Sequence, residues 1–260
     1  MLKSYITNRN WHYTLNRRLR KHGWDLRSWP NRDRLFGFIP ELVDLINQSK
    51  PEDRADLERF FYGASKIISK GGNFFSQLGQ EAIVVAHTES ISDPYYLEIG
   101  AFHPYKYSNT ATLREIFGWS GKSVDPSRES LCAFDAAGIS GLLINKGVGP
   151  EPGFKHFVEE GAFSRTSESS SIGSSQIEII GISELVLSLP KITYLSLDIE
   201  GGELDILKAY PWKNSTPSVI TVEHNNDFNI EADMENLMKS LGYRRILSSL
   251  SAFESWFVHD

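Results

Sequence analysis

The sequence predicts a doubly wound α/β fold: a mostly parallel sheet with helices on both faces, preceded by a helical N-terminal extension. Three observations predict it. Apolar, strand-like runs alternate with helical stretches from Gly71 onward, and that rhythm calls for right-handed crossovers between parallel strands. The first run, YYLEIG (95–100), ends on an acid and a glycine, and the second, KSVDP (122–126), ends on an acid. In such sheets ligands gather beyond the carboxyl ends of the strands, at the switch point.

The elements follow in chain order. Residues 1–34 carry nine Lys/Arg, two Asp and three of the six tryptophans (Trp11, Trp24, Trp29), whereas the whole chain of 260 residues has a net charge of −6. The basic, aromatic block suits an anionic surface; a helical cap docked on the acidic remainder is the alternative. That remainder would repel phosphate backbones, which argues against nucleic acid. Peripheral contact of residues 1–34 with an anionic membrane is therefore the expected partnership. Residues 35–70 read as two helices broken near Pro51. Leu42, Leu45 and Ile46 share one face of the first. Leu57, Phe60 and Phe61 face inward on the second, opened by Glu52 or Asp53. Residues 1–70 thus form an extension and 71–260 the main domain.

Within that domain, YYLEIG is followed by a helix from Ser108 to Gly118, and KSVDP by one over Arg128–Ala137. GLLINKGV (141–148) reads as one extended segment. TYLSLDI (193–199) precedes a helix over Glu203–Tyr210, and SVITVEH (218–224) one over Ala232–Leu241. YRRIL (243–247) and ESWFV (254–258) read as a terminal antiparallel pair, which brings the strands to seven. SRTSESSSIGSS (164–175) lacks apolar periodicity and reads as a mobile loop.

Composition excludes several classes. No apolar run reaches the roughly 18–20 residues needed to span a bilayer. The N-terminus lacks the apolar stretch of a secretory signal. The single cysteine, Cys132, permits no intrachain disulfide or cysteine zinc cluster. A cytoplasmic protein, peripheral at the inner membrane surface, is expected.

The strand tips carry the chemistry. After Glu98-Ile99-Gly100-Ala101 the chain continues Phe102-His103-Pro104 and lacks the further glycines of a dinucleotide fingerprint. A nucleoside without phosphates fits better than a dinucleotide, which sets aside a nicotinamide oxidoreductase. Asp125 lies 25 residues after Gly100, where a carboxylate can accept both ribose hydroxyls.

Several segments in order then resemble one family: FFSQLGQE (74–81), YYLEIGAFHPYKYSNT (95–110), the Gly118–Gly121 turn, VDPS (124–127), LSLDIEGGELDIL (195–207) and VITVEHN (219–225). The chain resembles the FkbM family of S-adenosylmethionine-dependent methyltransferases. The resemblance implies a seven-stranded, Rossmann-like methyltransferase sheet and O-methylation of a sugar, glycan or other hydroxylated metabolite. The cofactor site is accordingly expected at Glu98, Gly100, Ala101, Asp125, Pro126 and Asp198, and the resemblance adds Asn109. The pair His103-Pro104 departs from the family's glycine loop.

Methyl transfer to an alcohol needs the acceptor held in line with the sulfonium, and a base or metal to raise its nucleophilicity. Asp198 and Glu200 alternate in phase at the fourth long strand's tip, and Glu223-His224-Asn225 ends the fifth. His224 or His103 is the expected base, with Asp198 and Glu200 beside it. Asp198, Glu223 and Asn225 are the expected ligands of a Mg²⁺-type cation, by analogy with metal-dependent O-methyltransferases. The plainer alternatives are a structural role for His224, helix-start duty for Glu203 and Ser108-Asn109-Thr110, and a solvated helix face for Gln77 and Gln80. Trp119 is expected in the core. The rival function is a non-catalytic, membrane-associated binding module; an oligomer is compatible with either.

Overall fold

The computed structural model describes residues 51–161, 164–167, 174–248 and 250–259. The basic block 1–34 and the helix expected before Pro51 lie outside the described residues.

Helix α1 (Pro51–Ser69) begins with proline, which is tolerated in a first helical turn because its missing N–H would be unpaired there anyway. Helix α2 (Gln80–Thr88) packs against it. The alternating segments then follow: β1 (Tyr95–Ile99), α3 (Ala111–Phe117), β2 (Ser120–Val124), α4 (Arg128–Ala136), β3 (Leu143–Ile144), β4 (Gly147–Gly149), β5 (Gly153–Val158), β6 (Arg165–Ser167), β7 (Ser174–Gly181), α5 (Ile182–Leu187), β8 (Tyr194–Leu197), α6 (Glu203–Ala209), β9 (Val219–Glu223), α7 (Phe228–Ser240), β10 (Tyr243–Ile246) and β11 (Glu254–His259).

Seven strands form the main sheet in the order β10-β11-β9-β8-β1-β2-β3. Only β11 runs against the others, pairing antiparallel with both β9 and β10. The chain runs outward from β1 through β2 to β3, then returns to β8 on the other side of β1. The switch point therefore lies between β1 and β8.

Strand alternation gives the sheet two unlike faces. One carries Leu97, Ile99, Leu195, Leu197, Ile220 and Val222, packed with Ile182, Leu207, Met234 and Met238 of α5, α6 and α7. The other carries Tyr96, Tyr194, Val219 and Trp256, packed with Leu57, Ile67, Ile83 and Leu113 of α1, α2 and α3. Towards the carboxyl ends this second face turns polar: Glu98, Ser123, Ser196, Thr221 and Glu254 are all buried. They are satisfied by bonds such as Ser123 Oγ to Glu98 at 3.2 Å and Gln80 Nε2 to Glu254 at 2.5 Å. Trp119 is in the core, as expected.

Three local expectations are corrected. GLLINKGV is not one strand: β3 ends at Ile144 and β4 joins a second, four-stranded sheet, β4-β7-β5-β6. The break is held by Asn145, whose Nδ2 donates to the carbonyls of Asp125 (2.9 Å) and Ser127 (3.0 Å). The serine-rich segment contributes β6 and the start of β7, because both pair with β5; backbone pairing there needs no apolar side chains. The helix expected from Ser108 starts at Ala111, since Glu98 draws Ser108, Asn109 and Thr110 into a turn around its carboxylate.

Among the described residues no helix is long and apolar enough to cross a membrane.

Candidate active site

The tips of β1, β2, β8 and β9 converge on one cavity of about 610 Å³. Gly100, Ala101 and Phe102 line it after β1, and Asp125 and Pro126 after β2. Asp198, Ile199 and Glu200 follow β8, and Glu223, Asn225 and Asn226 come from the end of β9. The small sheet adds Gly147, Val148, Phe157 and Thr166, and Gln77, Lys106, Tyr107 and Phe253 also line the cavity.

The backbone around this cavity is unusually constrained. Phe102, Tyr107, Glu200, Asn225 and Asn226 all line it, and all have φ between 46° and 62°. A residue with a side chain held there costs on the order of 1–2 kcal/mol. Such turns reverse the chain within one or two residues of a strand tip, which is what opens a hollow over the sheet. Gly100 (φ 85°) faces a harder limit: a β-carbon there would lie 1.4 Å from the carbonyl oxygen of Asp198.

Asp125 joins two strand tips. Its Oδ2 accepts from Phe102 N at 2.9 Å, and its Oδ1 accepts from Ser127 N at 2.8 Å and Ser127 Oγ at 2.6 Å. Ser127 in turn caps α4 by accepting from Ser130 N. Each carboxylate oxygen has two lone-pair sites, so Asp125 fixes the β1 loop while retaining acceptor capacity towards the cavity it lines.

Three acids crowd the opposite tips. One carboxylate oxygen from each of Asp198, Glu200 and Glu223 lies within 4.8 Å of the others. Burial raises the pKa of all three, and their mutual repulsion adds to it for Glu200 and Glu223. Glu223 is pushed up to about 10. Asp198 and Glu223 are within hydrogen-bonding reach of each other, and Asn225 is within reach of Glu200.

The sequence pattern of the methyltransferase FkbM domain matches residues 98–245, a span running from the tip of β1 to β10. The chain belongs to the FkbM methyltransferase family. No curated protein matches the chain. A crystal structure of SAH-bound methyltransferase PaMTH1 from Podospora anserina is similar at 11% identity and a TM-score of 0.42, covering 90% of this chain and 98% of that one. A likeness of that degree bears on neither the fold nor the site.

Within this FkbM domain the structure brings Gly100, Ala101, Asp125, Pro126, Asp198, Glu200, Glu223 and Asn225 to one cavity. It does not bring Glu98, Asn109, His103 or His224 there. Glu98 is buried with its carboxylate accepting from Asn109 N (2.7 Å), Thr110 Oγ1 (2.6 Å) and Ser123 Oγ. It points along the polar face of the sheet while its neighbour Ile99 reaches the cavity, so it anchors a turn and does not line the cavity. Asn109 donates to Ser196 Oγ at 2.8 Å and is buried by the same turn. His103 Nδ1 accepts from Tyr105 N and Lys106 N and closes its own loop. His224 alternates with Glu223, so when Glu223 faces the cavity the imidazole enters the interior. It is 3% exposed, 3.9 Å from Glu231, and its pKa is lowered by that burial.

The expected cation set also changes. Asn225 lines the cavity within reach of Glu200. Asp198 and Glu223 thus come together as expected, with Glu200 in the place expected of Asn225 among the carboxylates that could hold a cation; no step is routed through one. Glu203 takes the plainer alternative: its Oε1 accepts from Ile199 N (3.1 Å) and Gly201 N (2.9 Å) at the start of α6.

Sequence reasoning missed Phe157, Thr166, Val148, Lys146 and Phe253. For the first two a signal existed. Ile177 and Ile179 alternate with Gln176 and Glu178 in the strand that pairs with both β4 and β5, and GFKHFV is compact and aromatic. Gln77 lines the cavity, whereas Gln80 is fully buried, holding Leu78 N and Glu254.

Proposed function

We propose that this chain transfers a methyl group from S-adenosylmethionine to a hydroxyl of a sugar, glycan or glycosylated metabolite. The observation that carries the reading is Asp125 and Gly100 facing one open cavity at the β1/β8 switch point, without the glycine-rich loop that a pyrophosphate needs. Asp125, with one acceptor site open on Oδ2, takes a ribose hydroxyl, and Pro126 and Val148 give the adenine an apolar seat.

With both histidines away from the cavity, Glu200 is the base. Its carboxylate lines the cavity and is only partly exposed, and burial raises its proton affinity. As the acceptor oxygen attacks the methyl carbon, its proton passes to Glu200. S-adenosylmethionine, when bound, would supply the methyl group from its sulfonium, the C–O bond forming as the C–S bond breaks with its electron pair left on sulfur. Water exclusion and in-line placement supply most of the acceleration.

Calorimetry with S-adenosylmethionine, followed by a screen of hydroxylated acceptors read as S-adenosylhomocysteine release, tests this. Binding with turnover on at least one sugar acceptor is expected. Absence of cofactor binding overturns the reading. Tight binding with no turnover on any hydroxylated acceptor returns it to a non-catalytic module.

A further inference from the structure

The acids at the tips of β8 and β9 exceed what one base requires. Glu223 is 8% exposed, lines the cavity, and its Oε2 accepts from no donor; the group within its reach is the equally acidic Asp198. A buried carboxylate oxygen left so is costly unless a ligand reaches it. Among the described residues, the basic side chains near the cavity are engaged elsewhere. Lys146 pairs with Glu178 at 2.5 Å. Lys106 lies over the rings of Phe102 and Tyr107 at 5.3 Å and 5.2 Å. Arg165, whose charge reaches Glu200, is 2.6 Å from Glu160. Among the described residues no ion pair joins a basic side chain to Asp198, Glu200 or Glu223.

The surroundings favour an organic cation over a metal ion. Phe157 and Phe253, whose rings hold no lysine among the described contacts, line the same cavity, and aromatic faces attract organic ammonium groups. Glu223 Oε2 is a directional acceptor, which an N–H donor satisfies.

We propose that Glu223, with Asp198 beside it, seats an ammonium group of the acceptor, so that the hydroxyl methylated belongs to an aminated molecule such as an amino sugar. This rests on the methyltransferase reading above. The carboxylates then offset both the acceptor's charge and the sulfonium next to it, two positive charges that would otherwise repel.

The test is calorimetry on the full chain saturated with S-adenosylhomocysteine. Kanamycin A, its fully N-acetylated derivative and MgCl₂ serve as probes, on the unaltered protein and on Glu223→Gln. The amine is expected to bind at least about tenfold more tightly than its acetylated form, as a charge-assisted hydrogen bond implies, and Glu223→Gln is expected to erase that preference. Equal binding of the two forms, binding of neither, or a preference that survives in Glu223→Gln overturns the proposal. Mg²⁺ binding that Glu223→Gln abolishes also overturns it, since the seat is then a metal site. Failure of S-adenosylhomocysteine itself to bind falls on the methyltransferase reading; its binding without amine preference falls on the ammonium seat alone.

Discussion

Gly100 and Asp198 meet backbone to backbone across the switch point: the space of a Gly100 β-carbon is filled by the Asp198 carbonyl, 1.4 Å away. Asp198 N donates in turn to Ile99 O at 2.9 Å. The glycine is thus required by the neighbouring strand tip before any cofactor arrives. Gly100→Ala is expected to force β1 and β8 apart and to destabilise the fold by about 3 kcal/mol or more. Denaturant unfolding measures this; an alanine variant as stable as the parent would contradict the geometry.

Asp125→Ala removes the acceptor of Phe102 N and Ser127 N together with the proposed ribose contact. Binding of S-adenosylhomocysteine is expected to weaken by about tenfold or more. Calorimetry reads it directly, and unaltered affinity would remove Asp125 from the cofactor site.

Glu200→Gln keeps shape and removes the base. Turnover is expected to fall on the order of 100-fold, with affinity for S-adenosylhomocysteine nearly unchanged. Steady-state kinetics paired with calorimetry separate the two. His224→Ala is expected to behave differently, because the ring is buried against α7 away from the cavity: it lowers melting temperature, with the KM for the methyl donor unmoved.

Glu254 is fully buried, accepts from Gln80 Nε2 and Trp256 Nε1, and has its pKa raised to about 8 by burial. Its folded value lies above the unfolded one near 4.5. The folded state therefore holds a proton that the unfolded state releases, and stability falls as pH rises from about 4.5 to about 8. Glu254→Gln is expected to flatten that decline. Denaturant midpoints of both proteins at pH 5, 6, 7 and 8 test it; parallel curves would show that Glu254 does not titrate in this range.

Much of the site was legible because strand tips announce themselves. Gly100, Asp125, Asp198, Glu200 and Glu223 each interrupt an apolar run, and an acid at that place must reach solvent, a cavity or a set of hydrogen-bond donors. The histidines were misread for a related reason. Composition shows that His224 follows Glu223, but only the register of β9 against β8 and β11 decides which of two adjacent residues faces the hollow. Glu98 belongs to the same class: it is acidic, at a strand end, and turned to the face where four donors, from Ser108, Asn109, Thr110 and Ser123, wait for it.

The sequence alone therefore determined the alternation of strands and helices, the terminal antiparallel pair, and which residue types stand at each strand tip. Those follow from local periodicity and from the cost of burying charge. The tertiary structure decided which tips meet, which member of each alternating pair looks into the cavity, and that polar strands from residues 147–181 build a second sheet along its wall. Those are matters of register and long-range pairing between segments far apart in the chain, and no window along a single strand of sequence contains them.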